Sequence, residues 1–587
     1  GRNKDKRWGK KEDGMKITRI RIHNFRSIID TDIEAHDYLI LVGANNAGKS
    51  NVINALRCFY EDLKWTEEDF PKKGAEDQDV WVELTFELSD NEWKNLAEKY
   101  KDGVSDQNIV LKRYFKGEKA KTKQSNIYGI VNGVEQEGLF YGAKQISTAK
   151  CGGIVYIPAL TTPGEQMKTT GPSPLRNMLN FMLKKVVAKS PAYDQLGKAF
   201  KELNKEAKNN NGFLSEIAQP INSALNQWDV QIDLSINPIS PEEISKSLVK
   251  FAFIDMPLGD TSFDLDRFGH GFQRAVIYEL IRIAPSFQEK IEVEKKEFDP
   301  DFNLILFEEP EAFLHPSQQE NMAFHLRRLG HEAEQQVFVT SHSPIFVSKS
   351  SDDLGQICRI QKNNGVSNLY QLKKNQEEAF IKAGGNFLET LQKFVDNPSI
   401  EEAKKVKARK LIENAPTEEI ACHHERFRFQ LWLDSDRASM FFADKVILVE
   451  GATEKALFNY LLAHDWYDLR NERILVVDAL GKYNFHRFIK LFSTFGISHG
   501  IMFDNDDEKN EHVVINQLIR DSKTQYTYVN SCEFGKCLEC FLGLSLPCRD
   551  DQKPLQILKA LEDKKISAEN LGELRKSFCK TLSIGED

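Results

Sequence analysis

The sequence predicts an α/β protein made of two strand–helix units in tandem, joined by a helical stretch. Three observations carry this expectation. A continuous apolar strand, Tyr38 to Val42, runs into Gly43-Ala44-Asn45-Asn46-Ala47-Gly48-Lys49-Ser50 and then into a helix through Tyr60. Far downstream, two apolar strands, Asn303 to Phe307 and Gln336 to Thr340, end in polar loops that carry Glu308-Glu309-Pro310-Glu311 and Ser341-His342-Ser343-Pro344. In the last third, the apolar runs Val446 to Val449, Ile474 to Val477 and Gly500 to Phe503 are each followed at once by an acidic residue. Short continuous apolar runs alternating with helical patterns are the mark of buried parallel strands.

At 587 residues the chain is long enough to hold more than one hydrophobic core. Hydrophobic residues make up 41% and charged residues 28%, the proportions of a globular protein rather than a disordered or fibrous one. No apolar run approaches the roughly 20 residues needed to span a bilayer, and no leader pattern is evident, so a cytoplasmic protein is expected. Residues 1–14 are charged and lack an apolar period, and read as a tag or disordered arm before a strand beginning near Lys16. The nine cysteines do not form a disulfide framework. Cys532, Cys537 and Cys540 lack the paired C-x-x-C spacing and the following histidine that zinc sites use. A net charge of −9 argues against general coating of nucleic acid by the whole surface. Two local basic runs remain, Lys112, Arg113, Lys116, Lys119, Lys121 and Lys123, and Lys404, Lys405, Lys407, Arg409 and Lys410. Each suits a solvated face as well as it suits a phosphate contact.

The first motif is G-x-x-x-x-G-K-S between a strand and a helix, the setting a phosphate-binding loop needs. Its glycines let backbone N–H groups curl around phosphates, and the helix N-terminus adds partial positive charge. Lys49 is expected on the β- and γ-phosphates and the Ser50 hydroxyl on Mg²⁺. Asn45, Asn46, Ala47, Gly48, Asn51 and Arg26 are the further expected contacts of an ATP molecule. Acidic residues at the end of a buried strand are costly unless they hold a metal or a water. Between these motifs lies Phe268-Gly269-His270-Gly271-Phe272-Gln273-Arg274, a small-residue helix start that on its own is a weak signal.

The second site rests on Glu450 and Gly451 after one strand, Glu454 on the next helical turn, Asp478 and Gly481 after the second strand, and Asp504-Asn505-Asp506 after the third. Carboxylates at the C-terminal ends of parallel strands stand where α/β sheets place their ligands. Crowded carboxylates repel unless cations neutralise them, and an oxygen-only donor set suits Mg²⁺ or Mn²⁺ rather than zinc.

The order of the first set, from P-loop through glycine-rich helix start and acidic strand end to strand plus histidine, resembles the ABC-ATPase heads of the SMC and RecF-type group. The resemblance makes Gly269, Gly271 and Gln273 the signature loop, Glu309 the general base for water, His342 the γ-phosphate switch and Glu308 a metal-ordering residue. That group more often has Asp at the position of Glu308, which implies slow hydrolysis here. V-E-G-x-x-E followed by D-x-D resembles the Toprim domain, in which the first glutamate and the aspartates hold divalent metal. The two together resemble the OLD (overcoming lysogenisation defect) family.

That resemblance adds Glu539 to the metal set of Glu450, Glu454, Asp504 and Asp506, and adds Lys553 as a catalytic residue that balances charge on the phosphate. It also implies a helical dimerisation insert at residues 172–228, splitting an ABC-ATPase head of mixed sheet and flanking helices into residues 15–171 and 229–375. Residues 376–440 then form a helical connector and residues 441–587 the C-terminal Toprim α/β domain. Gln145 is a candidate Q-loop residue. The implied function is that of a dimeric, ATP-regulated endonuclease cutting DNA by a two-metal mechanism in bacterial defence against phage. A partner from a neighbouring gene is left open, and no membrane is implied. The rival reading is a nucleotide-gated sensor or scaffold whose second site binds without cutting.

Overall fold

The computed structural model describes residues 14–104, 106–145, 149–159, 190–209, 212–225, 230–236, 239, 244, 253–254, 256, 262–263, 276, 279–280, 297–300, 302–312, 314–331, 335–350, 354–382, 386–414, 425, 428–429, 431–506, 511–545 and 550–585. The arm at residues 1–13 and the candidate signature residues Gly269, Gly271 and Gln273 lie outside the described residues.

Three sheets organise the chain. The first is antiparallel, in the order β2-β1-β4-β5-β6-β7. Its strands are β1 (Lys16–Phe25), β2 (Ile28–Glu34), β4 (Val80–Glu87), β5 (Asn108–Lys116), β6 (Ile127–Val131) and β7 (Val134–Leu139). The first strand begins at Lys16 as expected and runs to Phe25, and the turn after it falls at Arg26, where φ is 54°. The second sheet runs β14-β13-β3-β12-β11-β8. It comprises β3 (Tyr38–Val42), β8 (Gly153–Ile157), β11 (Asn303–Glu308), β12 (Gln335–Ser341), β13 (Ile357–Asn363) and β14 (Val366–Gln371). All its pairs are parallel except β13 with β14. A two-residue pairing of β9 (Phe253–Ile254) with β10 (Ser262–Phe263) stands apart.

Strand β3 is buried along its whole length, and its side chains serve two cores in alternation. Tyr38, Ile40 and Val42 join one core, while Leu39 and Leu41 join the other, which fills the space against the antiparallel sheet. This is the period-2 division that a strand imposes on a sheet covered on both faces.

The third sheet, all parallel, is β16-β15-β17-β18, from β15 (Lys445–Val449), β16 (Ile474–Asp478), β17 (His499–Asp504) and β18 (Cys532–Phe534). Val446 and Leu448 face the core that also holds Tyr38 and Val339, while Ile447 and Val449 face a separate core of the last unit. One hydrophobic core therefore runs from the second sheet into the third. Helices Lys374–Lys382, Asn386–Asp396 and Glu402–Glu413 precede the third sheet, in the stretch expected to be a helical connector. Within residues 172–228, helices Pro191–Ala207 and Phe213–Leu225 are described.

Most members of the two basic runs have partners within the chain. Arg113 is buried and donates to the Phe59 carbonyl and to Glu61, Lys112 sits 3.8 Å from the Trp81 ring centre, and Lys116 and Lys119 pair with Glu67 and Glu135. Lys404, Lys405, Lys407 and Arg409 pair with Glu401, Glu402, Glu511 and Glu402. Four members of each run are thus paired with acidic groups, a carbonyl or a ring, several of them at the surface.

Phe338 on β12 is 1% exposed in the core between the first two sheets. Phe338→Ala is expected to cost about 3–5 kcal/mol, read as a lower urea midpoint for the first two sheets. An unchanged midpoint would refute this packing.

Candidate functional site

The parallel register of the second sheet aligns the ends of three strands. Ser341 pairs with Val42, and Thr340 pairs with Glu308, so the residues that follow, His342, Gly43 and Glu309, emerge along one edge. Gly43, Asn46 and Gly48 have φ of 145°, 64° and 110°, the left-handed bends by which the loop turns its N–H groups inward. Lys49 opens the helix Lys49–Phe59 and is buried. Its ammonium donates to the carbonyls of Gly43 and Ala44 at 2.9 and 3.0 Å and lies 3.4 Å from His342 Nδ1. Burial pulls it down to about 8, against the opposing pull of Glu309, Glu311 and Glu308. Asn45, Asn46 and Ser50 are exposed at the mouth of the loop, and Ala47 is buried.

Two serines that the motif reading missed brace the loop from outside. Ser367 on β14 donates to the Ala47 carbonyl at 2.6 Å and shares a 2.6 Å hydrogen bond with Ser27, which in turn accepts from Asn51 Nδ2. Arg26 is held on Asp69 at 2.8 Å. Gln145 is exposed.

The acidic strand end divides its three glutamates among three environments. Glu308 accepts from the Tyr156 hydroxyl at 3.2 Å. Glu309 adopts φ 46°, uncommon for a residue with a side chain, and its carboxylate lies 3.2 Å from His342 Nε2. Glu311 is buried and accepts from the Ser341 hydroxyl and the His342 N–H at 2.8 and 2.6 Å, and burial raises its carboxyl. Glu311 thus fastens the loop that carries His342, while Glu309 and His342 face each other beside Lys49.

At the third sheet, Glu450 follows β15, and Glu454 is buried in the first turn of helix Ala452–His464, accepting from the Gly451 N–H at 3.0 Å. Asp504 ends β17 and accepts from the Leu538 N–H at 3.0 Å. The short helix Leu538–Phe541 carries Glu539, also buried. Asp506, at φ 54°, accepts from Lys482 at 2.7 Å and lies 3.0 Å from His512 Nδ1. Lys553 lies close enough for its charge to favour ionised Glu454. Asp478 turns away from this group to Arg437, at 2.7 Å.

Five carboxyl groups, Glu450, Glu454, Asp504, Asp506 and Glu539, therefore act on one another at one sheet edge. Burial and the charge of Glu454 push Glu450 up to about 7. Burial, then Glu450, Glu454 and Glu539, push Asp504 up to about 8. Burial would also raise Asp506, but the hydrogen bonds of His512 and Lys482 outweigh it and hold it at about 2. Glu450 Oε2 is buried without a hydrogen-bond partner. An orphaned, oxygen-only acceptor among raised carboxyls fits a hard divalent cation. Among the described residues no three acidic, histidine or cysteine side chains already converge on one point in ligating geometry. The Gly451 and Leu538 N–H groups and Lys482 each engage one oxygen of Glu454, Asp504 and Asp506, respectively, which leaves the second oxygen of each carboxyl group for a ligand.

Lys482 and His512 were missed because neither belongs to V-E-G-x-x-E or D-x-D. The available signal was Gly481-Lys482 just beyond the end of a buried strand. Cys537 and Cys540 approach to 3.0 Å between sulfurs, and Cys537 caps the Glu539 helix through its sulfur.

Glu450 and Asp504 must lose protons to bind a cation, so affinity is expected to weaken as pH falls through about 8 and 7. Calorimetric Mn²⁺ titrations at pH 6 and pH 8.5 check this, and equal affinity at both would refute it.

Residues 15–139 and 170–347 match a family described as an AAA ATPase domain, and residues 441–506 match the Overcoming lysogenization defect protein-like TOPRIM domain. The chain is similar to the Old nuclease of Escherichia phage P2, 25% identical over 84% of this chain and 77% of that protein. It is also similar to Endonuclease GajA of Bacillus cereus strain VD045, 23% identical over 84% of this chain and 75% of that one. Among solved structures, the Smc head domain from Pyrococcus furiosus aligns with 63% of this chain and 99% of its own at 14% identity and a TM-score of 0.36. With the ATPase match covering more than half of the residues and the OLD-like Toprim match following it, the chain belongs to the AAA ATPase domain family and has the OLD-type architecture, an ATPase domain joined to a Toprim nuclease domain.

Proposed function

We propose that this protein is an ATP-regulated, divalent-metal-dependent DNA endonuclease that works as a homodimer or higher oligomer in bacterial defence against phage. The observation that carries the reading is the group of five carboxyls at the edge of the third sheet, with the orphaned Glu450 oxygen among them. A protein spends stability to keep such a group buried, and a bound cation would recover it. Glu450, Glu454, Asp504, Asp506 and Glu539 would hold Mg²⁺ or Mn²⁺. The bound cation would supply a nucleophilic hydroxide at neutral pH and charge stabilisation for the leaving oxygen. Lys553, whose charge favours ionised Glu454, would balance charge on the phosphate. The names of the phage P2 and Bacillus cereus relatives support nuclease chemistry on this architecture.

At the other edge, Lys49 and Ser50 would hold the phosphates of ATP and its Mg²⁺, with Glu308 ordering the metal. Glu309 would take the proton of the attacking water, and His342, placed between Lys49 and Glu309, would sense the γ-phosphate. Dimerisation is supported by the helix Phe213–Leu225, whose Phe213, Ile217 and Ile221 are exposed at successive i, i+4 positions and so form one apolar stripe.

Glu309→Gln is expected to keep ATP bound and slow hydrolysis by a general-base factor of about 10²–10⁴. Glu311→Gln, which retains one acceptor for Ser341 and His342, should slow it far less. The opposite ranking in a phosphate-release assay would reassign the base.

The paired test of the whole reading is supercoiled-plasmid nicking and ATP affinity in Glu450→Ala and Asp504→Ala. Nicking should fall by orders of magnitude, because metal stabilisation of the transition state is worth several kcal/mol, while ATP affinity is unchanged. Full nicking by both variants would leave the rival, a nucleotide-gated sensor that binds without cutting.

A further inference from the structure

Arg359, on β13, is 4% exposed, yet neither of the two sites uses it. Its Nε donates to the Phe441 carbonyl at 3.3 Å, and its Nη1 donates to the carbonyls of Phe495 and Gly496 at 3.0 and 2.9 Å and to Gln361 Oε1 at 3.2 Å. Phe495 and Gly496 close the helix Phe485–Thr494, where unsatisfied carbonyls carry partial negative charge. A guanidinium of the ATPase sheet therefore caps a helix of the Toprim unit.

At the other end of that helix is Lys482, on the single turn Lys482–Asn484 that leads into it. Lys482 is 3% exposed and donates to the Asp504 carbonyl and to Asp506 Oδ2. The Gly481 N–H donates to the Glu450 carbonyl at 2.9 Å. One turn thus stitches two acidic strand ends together. The ten-residue helix between spans about 15 Å, and Phe485, Phe488, Ile489, Leu491 and Phe492 bury it in the shared core.

Toward the nucleotide, the residue after Arg359 touches the P-loop directly. A Cβ on Gly43 would overlap the Ile360 carbonyl oxygen. The loop residues Ala44–Ala47, the strand residues Arg359–Lys362 and the Toprim lead-in Phe442–Asp444 line one cavity of about 370 Å³. Lys49 donates to the carbonyls of Gly43 and Ala44, and a triphosphate would compete for the same ammonium. Bound triphosphate would draw the ammonium from those carbonyls and give the loop that leans on Ile360 a second hydrogen-bonded arrangement. Such a differential interaction is what a ligand needs to bias an equilibrium.

We propose that Lys482 is a positioning residue for the D-x-D carboxylates, and that Arg359, at the opposite end of the same rigid helix, couples its placement to nucleotide in the P-loop. This rests on the metal-dependent nuclease reading above and adds the route by which ATP acts on it. Outer contacts of metal ligands are typically worth about 10–100-fold in activity, and coupling between sites about 5–150-fold.

The experiment uses full-length protein, supercoiled plasmid and Mg²⁺, with nicking rates measured with and without saturating ATP and ATP affinity measured by calorimetry. Wild type should change its rate by about fivefold or more on adding ATP. Arg359→Met should bind ATP as wild type does, while the ratio of the two rates falls to near one. Using the ratio cancels any change in basal rate. Gly496→Ala keeps Arg359 but drives a methyl group into the Tyr370 ring, so it should lower the ratio too and serves if Arg359→Met does not fold. Lys482→Met should cut nicking about 10–100-fold with ATP affinity unchanged, and Lys482→Arg should recover much of it. A wild-type ratio in Arg359→Met or Gly496→Ala, or in wild type a ratio of one, overturns the coupling. Wild-type nicking by Lys482→Met, or no recovery in Lys482→Arg, overturns the positioning role. Absence of any metal-dependent nicking in wild type defeats the nuclease reading itself, which is a different outcome from a lost ATP response.

Discussion

Strand β3 pairs in parallel with β12 on one side and with β13 on the other, and most of what the molecule holds in place depends on that double pairing. The pairing with β12 brings the P-loop and His342 to one level, and the pairing of β12 with β11 brings Glu309 to the same level. A slip of one residue would turn every side chain of β3 to the opposite face and exchange its two cores. Because Tyr38, Ile40 and Val42 serve one core and Leu39 and Leu41 the other, the hydrophobic pattern holds the register against slippage.

The third sheet solves a different problem. Parallel strands bring Glu450 and Asp504 to a common edge, and burial there penalises their charged forms. Within the site, Lys482 and His512 offset part of the repulsion at Asp506, and backbone N–H groups engage Glu454 and Asp504. Burial favours protons on Glu450 and Asp504, and in the proposed reading a bound cation would take their place. The same logic explains why Asp478, equally a strand-end carboxylate, takes no part. Arg437 satisfies it, with Lys455 3.6 Å away.

The two units are not independent bodies joined by a linker. One core holds Tyr38 and Val339 of the ATPase sheet together with Val446, Phe488 and Phe492 of the Toprim unit. Trp432 stacks on Phe488 at 4.7 Å, and Arg359 crosses the junction to three backbone carbonyls. Interiors packed in this way transmit displacement rather than absorb it. The helix Phe485–Thr494 meets Arg359 of the second sheet at one end and follows the Lys482 turn at the other, and so belongs to the packing of both units.

The local motifs were legible in the sequence because their chemistry is local. A loop that turns around phosphates needs glycines at set spacing, and buried strands need continuous apolar runs. The strands β3, β12, β15 and β17 accordingly begin and end within a residue or so of where the apolar pattern places them. V-E-G-x-x-E places Glu454 one helical turn from Glu450 by helix geometry alone. The sequence could not assign partners to residues distant along the chain. Lys112 and Arg113 read as part of a basic run, yet Trp81, Phe59 and Glu61 take them up. Lys482 and Ser367 carry no motif and act only because strand order brings Lys482 to Asp506 and Ser367 to Ala47. Arg359 is one of two cations in a strand that also carries Gln361 and Asn363, and its partners appear only when a second domain presents three carbonyls to it. Sequence determined the strands and loops that carry the motifs and the residue types at those strand ends, since these follow from propensity and spacing. Tertiary structure decided which charges meet, because a buried charge is stabilised only by the particular groups that packing brings within hydrogen-bond reach.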